Sequence, residues 1–311
     1  TYLRVMMLFS PAFIFNDIIL CFVRNDGNPR LSMIATVCGS LFNVVFDYIF
    51  IFPCNMGMLG AVLATGFSPV VGLTIMSPHW LGKKRGFHFR KLVPDADSIR
   101  TNISLGFPSL LSQISAAIVM IVFNMLILGL EGNTGVAAYG VIANISLVVL
   151  SFYTGIAQGI QPLVSHSYGR KKTDGIRQFL RYAMISMVIL SAVMYLILFV
   201  FADPIASAFN SEHNAKLQEI AITGLKLYFT SLVFAGFNII LSMYFTSVEK
   251  ALPAQIISLL RGLILIIPIA FLFANLWDMT GVWMSFPATE LVTALVGAVL
   301  YFIYKNRLYS R

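Results

Sequence analysis

Two carboxylates lie inside long apolar runs of this chain, at Asp47 and Glu290. A charged side chain within the hydrocarbon of a membrane costs at least about 2.5 kcal/mol, so it must face protein or water rather than lipid. Asp47 ends a stripe of polar residues that a helix places on one face, at spacings of 4, 3 and 4: Thr36, Ser40, Asn43 and Asp47. We expect Asp47 to bind an ion or a substrate. The alternative is a structural aspartate that a neighbouring helix satisfies.

Other polar side chains in apolar runs are candidates for a substrate cavity. They are uncharged amides, together with the second carboxylate: Gln113, Asn124, Asn144, Gln158, Gln161 and Glu290. The amides are spaced by whole helical turns, so they share faces, but hydrogen bonding between helices explains them as well as a cavity does. Glu290 has a functional and a structural interpretation of equal weight. Arg261 lies eight residues into an apolar run, where it either reaches for the interface or pairs with a carboxylate; its position favours the interface.

No catalytic motif accompanies these residues. The four histidines and three cysteines show no spacing of metal ligands, and the glycines do not form a phosphate-binding loop followed by Lys-Ser or Lys-Thr. The chain is therefore not expected to be an enzyme, to hold a metal or to hydrolyse ATP.

The composition is that of an integral membrane protein. Of 311 residues, 58% are hydrophobic and 11% are charged, whereas soluble domains carry about 25% charged residues. The net charge of +8 comes from short basic clusters between apolar runs. Such clusters are typical of membrane orientation signals, so nucleic-acid binding is not expected.

Nine apolar segments are long enough to cross a bilayer: 3–22, 31–53, 58–78, 103–130, 136–164, 180–202, 220–243, 254–275 and 282–304. Basic residues fill alternate connectors, with seventeen on one side of the membrane and one on the other. The positive-inside rule makes the basic side cytoplasmic, so the first segment starts outside and the C-terminus is cytoplasmic. The sequence therefore predicts an all-α, polytopic membrane protein.

An internal repeat relates the first three segments to the last three. Four residues recur 222 positions later and four recur 224 positions later: Thr1, Leu3, Phe15 and Asn16, then Pro29, Gly57, Ala64 and Thr65. The middle three segments have no counterpart. We therefore expect three further spans upstream, which would complete two pseudo-symmetric six-helix bundles.

This organisation predicts three parts. Residues 1–80 form the C-terminal half of the N-terminal bundle (helices 4–6), 81–101 a cytoplasmic connector, and 102–311 the C-terminal bundle (helices 7–12). In the connector, apolar side chains alternate with basic ones and favour contact with anionic membrane lipid: Phe87, Phe89 and Leu92.

Several stretches carry a family resemblance: the turn RNDGNPR, the run LFNVVFDYIFIF, the run MGMLGAVLATG and the segment GIAQGIQPLVSHSYG. They resemble the multidrug and toxic compound extrusion (MATE) family, in its branch of bacterial drug exporters. The resemblance covers the whole chain and implies twelve spans in two bundles. It also implies export of organic cations, such as dyes and drugs, in exchange for inward sodium ions or protons, with no other cofactor.

The resemblance carries over only in part. Many relatives use an acidic residue on the first helix of the N-terminal bundle, which is absent here, and a glutamate of the seventh helix falls nearest to Gln113, which cannot ionise. The tenth helix, at 223–242, lacks the carboxylate of some relatives. The expected ion-coupling residues are therefore Asp47 and Asn43. The resemblance also places Phe15, Asn16 and Asp17 near a central cavity, with Gln158 and Gln161.

The expected partners are cationic small molecules and membrane lipid, and we expect a monomer in the inner (plasma) membrane of the cell. A flippase for lipid-linked oligosaccharides is the alternative, because such proteins have a related architecture. It would need a cavity rich in Arg and Lys, and Arg261 is the one basic residue deep in an apolar run. A receptor or scaffold that transports nothing is a third possibility.

Overall fold

The computed structural model describes residues 2–82, 86, 95–210 and 213–309. Ten α-helices occupy them: α1 Tyr2–Asn25, α2 Pro29–Ile51, α3 Gly57–Trp80, α4 Ala96–Gly169, α5 Thr173–Val200, α6 Ala202–Phe209, α7 Ala215–Tyr228, α8 Leu232–Ser247, α9 Ala251–Leu259 and α10 Ile266–Tyr309. A 3₁₀ turn, Phe229–Ser231, joins α7 to α8, and a π turn, Leu260–Ile264, joins α9 to α10. These residues contain no β-strand, and the all-α prediction is confirmed.

Helix α4 consists of two membrane spans joined by a break. Its 74 residues would measure about 111 Å if straight, against about 30 Å of bilayer hydrocarbon. The backbone leaves helical geometry at Gly132, where φ is 62° and ψ is −153°. The rings of Phe123 and Tyr139 lie 5.6 Å apart, although continuous helix would separate these residues by about 24 Å. The chain therefore folds back at Gly132.

Helix α10 breaks in the same way at Trp277 and Asp278, where φ is −137° and 47°. A Cβ added to Gly281 would collide with the backbone carbonyl of Phe273, eight residues earlier, so the chain reverses between them. Seven helical stretches of the described residues are long and apolar enough to cross a membrane, and two of them contain these breaks. The described residues thus hold nine spans, as the apolar segments predicted.

Helices extend beyond the predicted apolar segments at their basic ends. Helix α4 begins at Ala96 rather than near 103, and α5 begins at Thr173 rather than near 180. Asp95 caps α4 by accepting hydrogen bonds from the Ser98 hydroxyl at 3.0 Å and the Ser98 backbone N–H at 3.2 Å. The hydroxyl bond holds the pKa of Asp95 below its ordinary value. An apolar run marks only the membrane-buried part of a helix, which explains the difference.

The chain forms two compact units, Thr1–Val93 and Pro94–Arg311. In the first unit, α3 packs against both α1 and α2 around a small core of Ile19, Val23, Ala35 and Met76. The predicted connector 81–101 lies mainly outside the described residues, as do its apolar positions Phe87, Phe89 and Leu92. The second unit contains α4–α10 around a larger core with fully buried aromatic rings: Phe123, Tyr153, Phe229, Tyr244, Phe245 and Trp283.

Replacing Gly132 with alanine tests the break in α4. The backbone at Gly132 lies in a region that is essentially restricted to glycine, and nothing lies within 4 Å of an added Cβ. Gly132→Ala should therefore lower the free energy of unfolding by about 1–3 kcal/mol through backbone strain. Gly129→Ala is the matched control, because the surroundings of Gly129 are equally open and its backbone is helical. Alanine at this position should raise the free energy of unfolding by up to about 1 kcal/mol.

Thermal unfolding of the purified protein in detergent measures both variants. Equal unfolding midpoints for Gly132→Ala and Gly129→Ala would contradict the break at Gly132.

Candidate functional site

The polar stripe of α2 meets α3 at Asn43 and Thr65. The amide Nδ2 of Asn43 donates a hydrogen bond to Oγ1 of Thr65 at 3.2 Å, and the Thr65 hydroxyl donates to the carbonyl of Ala61 at 3.0 Å. Helices α2 and α3 approach closely because Gly39, one turn before Asn43, faces α3. A Cβ on Gly39 would lie 3.2 Å from the carbonyl oxygen of Ser68, whose hydroxyl donates to the carbonyl of Gly39 at 2.8 Å. This packing sets the register that brings Asn43 to Thr65.

Asp47 lies one turn beyond Asn43 on the same face of α2. Its Oδ1 atom is buried and has no hydrogen-bond partner among the described residues. Because α2 ends at Ile51, Asp47 lies about 6 Å from the end of the helix. A buried carboxylate oxygen without a donor is costly, and a bound cation or proton would remove that cost. Asp47, Asn43 and Thr65 therefore form a candidate cation site.

The sequence patterns did not indicate Thr65 as a site residue. It lies 22 positions after Asn43 on a different helix, and helical periodicity relates residues only within one helix. One sequence signal did point to Thr65: it is one of the residues that recur in the internal repeat, where its counterpart is Thr289.

The predicted cavity residues of α1 lie away from Asp47. A Cβ on Gly72 would contact Oδ1 of Asn16 at 2.5 Å and the carbonyl oxygen of Ala35 at 3.8 Å, so Asn16 is level with Ala35. Ala35 is twelve residues from Asp47, or about 18 Å along α2. The neighbours of Asn16 on α1, Phe15 and Asp17, are exposed in the first unit.

A buried ion pair links three spans of the second unit. The Nη2 and Nε atoms of Arg261 donate to Oε1 of Glu290 at 2.7 and 3.1 Å. The amide of Asn238 donates to Oε2 of Glu290 at 2.7 Å and to the Glu290 carbonyl at 2.9 Å. Glu290 and Asn238 have no exposed surface. Glu290 thus lies inside packed helices, which does not agree with the expectation that it lines a cavity.

The expectation that Arg261 reaches for the interface is wrong. Arg261 lies in the π turn, where the N–H of Leu265 donates to the carbonyl of Leu260, five residues back, at 3.1 Å. Its side chain turns to Glu290 on the following span, because a carboxylate within reach stabilises a guanidinium inside the membrane. Neither partner's position along its own helix reveals this pairing. Turns of the π type are frequent at functional sites.

The amides of α4 fall into two groups. Gln113 and Asn144 are exposed in the second unit, whereas Asn124, Gln158 and Gln161 are partly buried. The Asn144 amide donates to the carbonyl of Gly140 on its own helix at 2.8 Å. Among the described residues, no group of three or more His, Cys, Asp or Glu side chains could hold a metal ion.

The described residues hold nine apolar spans, with the Glu290 carboxylate and one oxygen of Asp47 buried among them, and they define a multi-pass α-helical membrane protein. The sequence model of the MatE family matches residues 1–49 and 108–272, which is more than half of the chain, and the chain belongs to this family. It is a transporter of small molecules and not an enzyme.

Relatives and solved structures agree with this membership. The multidrug export protein MepA of Staphylococcus saprophyticus is 26% identical over 309 residues, which cover 99% of this chain and 67% of that protein. The MepA protein of Staphylococcus aureus is 25% identical over the same length and with the same coverage. An outward-facing multidrug resistance MATE family transporter of the MOP superfamily aligns with a TM-score of 0.92 at 24% identity, covering 100% of this chain and 70% of that one.

A MOP superfamily transporter from Pyrococcus furiosus aligns with a TM-score of 0.90 at 25% identity, covering 99% of this chain and 69% of that one. It is described as having a binding pocket of reverse polarity that suggests a different function. The described helices therefore have the MATE fold.

Replacing Thr65 with valine tests the contact between α2 and α3. Valine keeps the shape of threonine but removes the hydroxyl that accepts the hydrogen bond from the Asn43 amide. Thr74→Val is the matched control, because Thr74 is on the same helix and also donates to the carbonyl four residues earlier, at 2.8 Å. Thr65→Val should lower the free energy of unfolding by about 1 kcal/mol more than Thr74→Val does. Denaturation of the purified protein measures the difference, and equal values would exclude a contribution of the Asn43 contact.

Proposed function

We propose that this protein is a secondary active multidrug efflux transporter that exports organic cations in exchange for inward-moving sodium ions or protons. The observation that carries the proposal is the buried Oδ1 atom of Asp47, which lacks a hydrogen-bond partner among the described residues and lies one turn from the Asn43–Thr65 contact. Similarity to multidrug export proteins supports drugs as the substrates. The ion gradient supplies the energy, so the mechanism needs no organic cofactor.

The coupling ion binds at Asp47. A proton would attach to the carboxylate, whereas a sodium ion would take the carboxylate together with the oxygens of Asn43 and Thr65, because hard cations prefer oxygen ligands. Either ion neutralises a partly buried charge. Neutralisation lowers the cost of closing the surrounding helices against water.

Exchange requires that the ion and the drug favour different states of the transporter. A ligand shifts a conformational equilibrium only through its different affinities for the two states. Binding of the ion at Asp47 stabilises a state that disfavours the drug, and binding of the drug stabilises a state in which Asp47 is charged. The uncharged amides of α4 are the proposed contacts for the drug within the second unit: Gln113, Asn124, Asn144, Gln158 and Gln161.

The basic connectors support an orientation in the inner (plasma) membrane of the cell with the C-terminus in the cytoplasm. In this orientation α2 runs outward, and Asp47 lies near its outer end. An ion that enters from outside therefore meets Asp47 early in its path. The protein is proposed to act as a monomer.

A flippase for lipid-linked oligosaccharides has less support. Its pyrophosphate substrate would require basic side chains whose donors are available within the spans. The guanidinium of Arg261 is bound to Glu290 at 2.7 Å, and that carboxylate neutralises its charge. This pairing favours the exporter.

Replacing Asp47 with asparagine tests the coupling role directly. An amide cannot take up a proton and carries no charge for a sodium ion, so Asp47→Asn should reduce gradient-driven uptake of a cationic dye to the level of protein-free liposomes. The measurement is dye fluorescence in proteoliposomes with an imposed sodium or proton gradient. Asp174→Asn is the control, because Asp174 is an exposed carboxylate in the first turn of α5.

Undiminished uptake by Asp47→Asn at equal incorporation would refute the coupling role. Uptake under a sodium gradient at equal pH on both sides would identify sodium as the coupling ion. Uptake only under a pH gradient would identify the proton.

A further inference from the structure

The buried carboxylate of Glu290, in the second unit, is neutralised by a side chain of the protein, the guanidinium of Arg261. Both oxygens of Glu290 have donors, since Oε1 accepts from Arg261 and Oε2 accepts from Asn238. The three residues lie on three different spans, in α8, in the π turn and in α10 beyond its break. Within the first unit, the buried oxygen of Asp47 has no such donor among the described residues.

The groups around Glu290 would suit a small cation if Arg261 were absent. The Oδ1 atom of Asn238 is buried and has no hydrogen-bond partner in the described part of the chain. It belongs to the same amide whose Nδ2 atom lies 2.7 Å from Oε2 of Glu290, so a half-turn of this amide would bring its oxygen to the two carboxylate oxygens. A hard monovalent cation takes such a set of carboxylate and amide oxygens.

The guanidinium occupies the position that such a cation would take. Its Nη2 and Nε atoms both bind Oε1 of Glu290, at 2.7 and 3.1 Å, so the positive charge lies directly against the carboxylate. Only 17% of the Arg261 side chain is exposed, and the pair is therefore largely shielded from water. In such surroundings a carboxylate without a cation costs far more than it does at a surface.

We propose that Arg261 is a resident counter-ion that fills a cation site formed by Glu290 and Asn238. The second unit consequently binds no exchangeable sodium ion, although it contains the ligands for one. Removing the guanidinium opens this site to sodium. The inference rests on contacts of the second unit alone and does not depend on the proposed role of Asp47.

The test compares three forms of the protein, each in an Asp47→Asn background that removes any sodium response arising at Asp47. The first form carries no further change. The second adds Arg261→Met, which keeps the stem of the side chain and deletes the charged group. The third adds Arg261→Met with Glu290→Gln, which removes both charges. Thermal unfolding of each purified protein is measured in sodium chloride and in choline chloride at the same concentration.

The Arg261→Met form should unfold at a midpoint roughly 5 °C higher in 100 mM sodium chloride than in choline chloride, because a ligand that binds the folded state stabilises it. The other two forms should show equal midpoints in the two salts. Recovery of folded Arg261→Met protein only in the presence of sodium would equally support the proposal.

Equal midpoints in the two salts for the Arg261→Met form would overturn the proposal. So would an Arg261→Met form that is unfolded in both salts while the form with Glu290→Gln is folded, because sodium would then be unable to replace the guanidinium. A sodium response that persists after Glu290→Gln would place the site elsewhere and would also overturn it.

Discussion

The cost of a bare charge in hydrocarbon determines how the two units of this chain are built. A carboxylate buried among apolar spans is stable only if a donor or a cation neutralises it. In the second unit the donors are built in, because Arg261 and Asn238 bind both oxygens of Glu290. In the first unit one oxygen of Asp47 has no donor among the described residues. Glu290 therefore needs no further ion, whereas Asp47 is the carboxylate at which we propose that an exchangeable ion binds.

Close packing of helices makes both arrangements possible. In the first unit, Gly39 lets α2 approach α3 until the Asn43 amide reaches Thr65. In the second unit, the break at Trp277 and Asp278 returns the chain so that Glu290 meets a guanidinium 29 residues earlier. Side chains far apart in sequence thus meet because small residues and chain reversals set the register. The chemistry of each site depends on these backbone features as much as on the charged groups.

The spans, the chain reversals and the faces of single helices could be predicted from the sequence, whereas side-chain contacts between two helices could not. Hydropathy located the nine spans and both reversals, since the breaks at Gly132 and at Trp277 fall in predicted connectors. Periodicity placed Asn43 and Asp47 on one face of α2. Thr65 was missed because its role depends on how α3 packs against α2. The pairing of Arg261 with Glu290 was missed for the same reason, because position in an apolar run shows only that a charge is buried and not what it meets.

On the proposed mechanism, Asp47 takes up the coupling ion while Glu290 stays paired with Arg261. Infrared difference spectroscopy of the purified protein tests it most directly, because the vibrations of a carboxyl group change when it gains a proton or a cation. Adding the coupling ion should produce one carboxyl difference band, which Asp47→Asn removes and Glu290→Gln leaves in place. A band that disappears in Glu290→Gln and persists in Asp47→Asn would contradict the claim.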